Sequence, residues 1–213
     1  YEMQRSLVGS EMCIRDSGLT EANDKSVYIG SRSDYSLSDK GRSQLVNKLD
    51  IFQYPKVQRI YSSPLKRCTE TAELLFPDRE LYLAEDFREL DFGEFDGKSV
   101  KELIDREDYK DWLKGGADKR PPDGESLNEL TARIYRGLHT VLMDMMQEEL
   151  THCALITHSG IITNIMAGFG IPKYDPKELI CQPGEGFEIL TSAKLWQQSQ
   201  VFEILGKAPY ETV

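Results

Sequence analysis

The sequence predicts an α/β protein, a three-layer α/β/α sandwich around a mainly parallel central sheet. Three observations predict it. Short apolar runs of strand length alternate with segments carrying a helical apolar stripe, the rhythm of β-α-β units. Three of the strand-like runs lead into loops rich in Gly, Ser and charged residues, where sheets of this kind place their ligands. The 213 residues, 39% hydrophobic and 29% charged, have the composition of one globular domain, long enough to bury most of its apolar surface. No internal repeat, low-complexity tract or linker divides them.

The first seventeen residues, YEMQRSLVGSEMCIRDS, show neither strand alternation nor a helical stripe, and a strongly patterned sequence begins abruptly after them. The stretch RSLVGSEMCIRDS resembles a translated sequencing-adaptor fragment, which makes 1–17 a foreign or disordered segment and 18–213 the domain proper. On that reading the natural N-terminus is lost; an ordinary variable tail is the alternative. Met12, Cys13 and Ile14 supply at most a weak imitation of a first strand.

From Ser38, an N-cap, a helix is predicted with Leu45, Val46 and Leu49 on one face, then a strand over 57–61. Pro64 opens a second helix through Ala72 and Leu75, and 81–83 is a short strand before the loop DFGEFDGK. A helix near 100–104 and a turn-rich segment follow, whose Ser126 caps a long helix to about Gln147 with Leu130, Ile134, Leu138 and Leu142 on its apolar face. The apolar strand 153–157 runs into His158, Ser159 and Gly160, and 161–167 is helical. Runs at 187–191 and 201–205 predict a closing hairpin.

A formal net charge of −10 argues against nucleic acid or an anionic membrane as main partner. No apolar run approaches the ~18 residues of a membrane span, and no leader with a small-residue cleavage site stands at the start. Four cysteines, Cys13, Cys68, Cys153 and Cys181, lie far apart without a CxxC pair, so neither a zinc site nor a disulfide framework is expected. A cytoplasmic setting fits best.

Three loops after strands carry groups suited to the same chemistry. SSPLKRCTETAE holds Arg67, FRELDFGEFDG holds Glu89, and ALITHSG holds His158. Each alone is weak, since a single charged residue is usually solvated and a single histidine usually packed. Together and in this order they resemble the histidine phosphatase (phosphoglycerate-mutase-like) superfamily, and the resemblance runs from Gly18 to about Leu205. GLTEAN supplies the Gly18, Thr20 and Asn23 that follow the family's Arg-His pair. Asp34, Leu37 and Gly41 lead into the first helix as in the family pattern. PPDGESLNEL resembles the segment before the family's long helix, which puts Glu125 and Ser126 near the pocket rim. The FRELDFGEFDGK loop looks closest to the broad phosphatases that include α-ribazole phosphatase.

The resemblance implies a phosphomonoesterase acting on a small phosphorylated metabolite through a phosphohistidine, without metal or other cofactor; the oligomeric state, monomer or homodimer, is left open by the sequence. Arg67 is implied to fork two phosphate oxygens, a bidentate grip that lysine makes less well. His158 stabilises the same oxygens by donating a ring N–H or carrying a proton, and Gly18, Thr20 and Asn23 add neutral donors. Glu89 protonates the leaving oxygen and then takes a proton from water, which calls for a pKa raised toward the working pH.

One departure is decisive. Ser17 stands where the nucleophilic histidine belongs, and Asp16 where the first arginine belongs. Arg15, one residue early, should point to the other face of the strand. At about 4 Å and an effective dielectric near 20, a unit charge is worth on the order of 4 kcal/mol, so Asp16 is expected to repel phosphate as strongly as Arg67 attracts it. The chain is therefore expected to be impaired or inactive. Two further readings stay open: a cofactor-dependent phosphoglycerate mutase, and a phosphoester-binding pseudoenzyme.

Overall fold

The computed structural model describes residues 9–211, so the part of the N-terminal expectation that falls on 1–8 lies outside the described residues. Strands Ser10–Asp16 (β1), Arg59–Ser62 (β3), Leu81–Leu83 (β4), His152–Thr157 (β5), Gly170–Ile171 (β6), Gly186–Thr191 (β7) and Phe202–Ala208 (β8) form one sheet. Its order is β4-β3-β5-β1-β7-β8-β6, and only β7 runs against the rest. That is the mainly parallel sheet predicted. Phe52–Gln53 (β2) pairs separately with Tyr210–Glu211 (β9).

Ser10–Asp16 is a complete strand at the centre of the sheet, where the sequence predicts no regular first strand. It pairs with β5 from Glu11↔His152 to Asp16↔Thr157 and with β7 from Ser10↔Thr191 to Arg15↔Gly186. A strand covered on both faces needs a continuous apolar run rather than alternation, and Met12, Cys13 and Ile14, all buried, provide one. The fit against β7 depends on a glycine: a Cβ at Gly186 would lie 1.8 Å from the carbonyl oxygen of Ile14.

Helices cover both faces. Leu127–Gln147 is capped by Ser126, as predicted, the cap being a capping box with Glu129, and its Leu130, Ile134, Leu138 and Leu142 are buried. They join Ile161, Ile162 and Ile165 of Ser159–Phe169, Trp196 of Ala193–Ser199, and Met12 and Ile14 in the main core. On the other face Lys66–Leu75 buries Cys68, Ala72 and Leu75 against Ile60, Ala154 and Ile156, with Asp39–Ile51 alongside it. Hereafter Asp39–Ile51 is α1, Lys66–Leu75 α2, Val100–Leu103 α3, Glu107–Leu113 α4, Leu127–Gln147 α5, Ser159–Phe169 α6 and Ala193–Ser199 α7.

The predicted face of α1 is corrected. Only Leu45 of the three is buried, Val46 and Leu49 being exposed, because α1 presses Gly41 against the backbone of Leu19, where a Cβ would stand 2.2 Å from the carbonyl oxygen. The predicted closing hairpin is instead an antiparallel pair joined through α7. Among the described residues no helix is long and apolar enough to cross a membrane.

Candidate active site

Strands β1, β3 and β5 end side by side, and the residues that follow them meet in a cavity of about 400 Å³. Asp16, Ser17, Gly18, Arg67, Glu89 and His158 all line it. The three loops singled out in the sequence thus converge, together with the segment at which the chain departs from the family pattern.

His158 follows Thr157 at the end of β5 and is the N-cap of α6. Its Nδ1 accepts from Arg67 Nε at 3.2 Å, and its Nε2 lies 2.9 Å from Ser63 Oγ. This geometry puts the ring proton on Nε2. Burial, reinforced by the positive charges of Arg67 and Arg133, pushes the imidazolium pKa well below the usual histidine value. Both effects oppose the charged form of the ring.

Arg67, near the start of α2, also donates from Nη1 to Ser33 O at 2.9 Å and from Nη2 to Gly30 O at 3.4 Å. Three of its five N–H groups are engaged by the protein, so two are left for a ligand. Glu89 sits beyond the turn Glu85–Phe87, its Oε1 accepting from Leu90 N at 2.9 Å. Gly160 makes room for it: a Cβ there would lie 2.9 Å from Oε1. Burial raises the Glu89 pKa against the lowering effects of the Leu90 N–H and of Arg67 and Arg133. The direction is the one a proton donor needs.

Asp16 is raised well above the carboxylate range, by burial first and then by the charge of Glu89, although the N–H groups of Ser17 and Ser159 and the charge of Arg67 oppose this. Burial and the charge of Glu89 both oppose the ionised form, so any repulsion of phosphate by Asp16 grows as the group ionises. Ser17 N donates to Thr157 O at 3.0 Å. The ring of His158 is hydrogen-bonded to Arg67 and Ser63 and lies beside Cys68 Sγ.

Two expected donors prove to be structural. Gly18 N donates to Thr71 Oγ1 at 3.0 Å. Thr20 donates from N and Oγ1 to Asn23 Oδ1, at 2.7 and 2.9 Å, and holds Asn23 at the cavity wall without lining the cavity itself. Ser126 is a helix cap, and Glu125 stands behind Glu89, paired with Arg133 rather than on the rim. Arg15 lies on the opposite face, as its register predicts, with its guanidinium 4.5 Å from the Tyr54 ring centroid.

Ser63, Asn164 and an apolar wall that includes Tyr28, Ile29, Phe92 and Leu127 belong to the site without having been singled out by the sequence pattern. Ser63 had a signal, since it immediately follows β3; the wall comes from separate loops and had none. Among the described residues no group of three or more His, Cys, Asp or Glu could hold a metal ion.

This sheet order and this cavity define an α/β protein of the phosphoglycerate-mutase-like class. A phosphoglycerate mutase of Bacillus anthracis superposes with a TM-score of 0.76 at 16% identity, over 95% of this chain and 94% of that one. The chain belongs to the histidine phosphatase superfamily (branch 1), whose profile matches residues 17–197. By family it is a hydrolase. A Hydrogenobacter thermophilus protein assigned as a phosphoserine phosphatase is 28% identical over 160 residues, 71% of this chain and 76% of its own. The adenosylcobalamin/alpha-ribazole phosphatase of Salmonella typhimurium is 24% identical over 154 residues, 70% of this chain and 74% of its own. The family match begins at Ser17, so β1 lies outside it.

Proposed function

We propose that this chain is a phosphomonoesterase of the phosphohistidine type whose nucleophile and first phosphate-binding arginine have been replaced by Ser17 and Asp16. The observation that carries the reading is the convergence of Arg67, Glu89 and His158 on Asp16–Ser17–Gly18 in one cavity. Arg67 and His158 stabilise charge on the transferring phosphoryl oxygens, Asn23 adds a donor, and Glu89 protonates the leaving oxygen. An unactivated serine hydroxyl at position 17 attacks phosphate esters poorly, so this chain is inactive or nearly so.

The substrate we infer is a small phosphomonoester with an uncharged, partly apolar leaving group. Arg67 is the only cation lining the cavity among the described residues, and the wall facing it includes Tyr28, Ile29 and Phe92. A second anionic group, such as the carboxylate a phosphoglycerate mutase must hold, lacks a partner there. An α-ribazole phosphate, the substrate type in the name of the Salmonella relative, fits this description.

The start of the family match at Ser17 and the burial of Arg15 with its Nε unpartnered support reading the preceding segment as foreign to the family's sequence. Four free, buried cysteines agree with a reducing cytoplasm. The test is phosphate release from p-nitrophenyl phosphate without added metal, comparing this chain with Asp16→Arg plus Ser17→His. Turnover by the rebuilt chain alone supports the reading; equal turnover by both refutes the placement of the nucleophile.

A further inference from the structure

The loop that carries Glu89 has no regular structure between the turns Glu85–Phe87 and Gly93–Phe95, so something else must fix its backbone. Two side chains of α5 reach across to this segment: Arg136 pairs with the Asp86 carboxylate at 3.2 Å, and Arg133 holds the backbone. Arg133 Nη1 donates to Asp86 O at 2.7 Å and Arg88 O at 2.9 Å, and Nη2 donates to Glu89 O at 3.3 Å. Its Nε and Nη2 also form a bidentate pair with Glu125, at 2.8 and 2.7 Å. All five N–H groups are thereby used, one planar fork joining the loop to its neighbour.

Glu125 closes the far end. Its N–H donates to Asp91 O at 2.9 Å and its Oε2 accepts from Asp91 N at 3.4 Å. Both side chains of the pair are only 15% exposed, so the clamp is largely shielded from water. Charge from the same guanidinium favours the ionised form of Glu89 and the neutral form of His158. We infer that Arg133, held by Glu125, is the positioning residue that aims the Glu89 carboxyl into the cavity beside Gly160. The inference rests on the role given to Glu89 in the proposed reaction.

The test uses the full chain labelled with carbon-13 at the glutamate Cδ, the Glu89 signal being assigned by its loss in Glu89→Gln. Arg133→Met, Arg133→Lys and Glu125→Gln are compared with the parent by carboxyl titration and by amide hydrogen exchange. In Arg133→Met, Glu89 titrates at higher pH than in the parent, and the amides of Leu90 and Asp91 exchange on the order of tenfold faster while β5 is unchanged. Arg133→Lys keeps the charge but loses the fork, so exchange at Leu90 and Asp91 rises with the titration near the parent's. Should Arg133→Met not fold, exchange at these two amides in Arg133→Lys and Glu125→Gln decides. Unchanged exchange in the folded variants, or a rise spread equally over β5, overturns the inference. These readouts need no turnover, so failure of the rebuilt chain to release phosphate would count against the proposed reaction and not against the clamp.

Discussion

At the cavity wall Asp16 has two reasons to hold a proton, its burial and the neighbouring charge of Glu89. Because the folded chain binds the Asp16 proton more tightly than the unfolded chain does, this group's contribution to stability is complete below the unfolded carboxyl value of about 3.9 and is lost as pH rises through the folded value. Asp16→Asn is expected to flatten that decline, which melting temperatures across a pH series will read. The same substitution should tighten inorganic phosphate binding, by more at high pH than at low pH, as isothermal titration of parent and variant can measure. No tightening at any pH in the series would show that Asp16 does not face the phosphate. Arg15 offers a second test on the opposite face. It is fully buried, its nearest acceptors are Gly184 O at 3.4 Å and Cys13 Sγ at 3.6 Å, and its Nε has no partner. Arg15→Met keeps the stem over Tyr54 while removing the buried charge, and is expected to stabilise the fold by roughly 1–3 kcal/mol in denaturant titration.

Among the elements, what could be read from the sequence follows from how each is stabilised. The long helix α5 was legible to within a residue because Ser126 and Glu129 form a local cap and its apolar positions recur at helical spacing. Strand β1 was not, because a strand buried on both faces shows no alternation and its three apolar residues are flanked by Glu11, Arg15 and Asp16. The short helix α7 was hidden for a different reason: seven residues are too few to display a stripe, and only the Ser192 cap marks it. For the site, Arg67, Glu89 and His158 could be found because their motifs, taken together and in order, resemble the family's, whereas the hold of Thr71 on Gly18 and of Arg133 on the Glu89 loop exists only between distant segments. The junction of β1 and β7 gives the element-scale prediction. Gly186→Ala drives a methyl into the Ile14 carbonyl, where only backbone movement can relieve it, and is expected to cost more than about 3 kcal/mol of unfolding free energy.

For the whole molecule, β1 pairs along its backbone with β5 and β7, and its Met12 and Ile14 belong to the core. The proposed reaction asks for more than a paired strand: it calls for a histidine at position 17 and a cation at position 16, where this chain has Ser17 and Asp16. The most direct test is metal-free hydrolysis of p-nitrophenyl phosphate by the parent chain and by a chain carrying Arg15→Val, Asp16→Arg and Ser17→His, both checked for folding. The expected result is background release by the parent, at least about a hundredfold more by the rebuilt chain, and an acid-quenched phosphohistidine in the latter alone. Equal turnover by both chains, or none by either, would contradict the account.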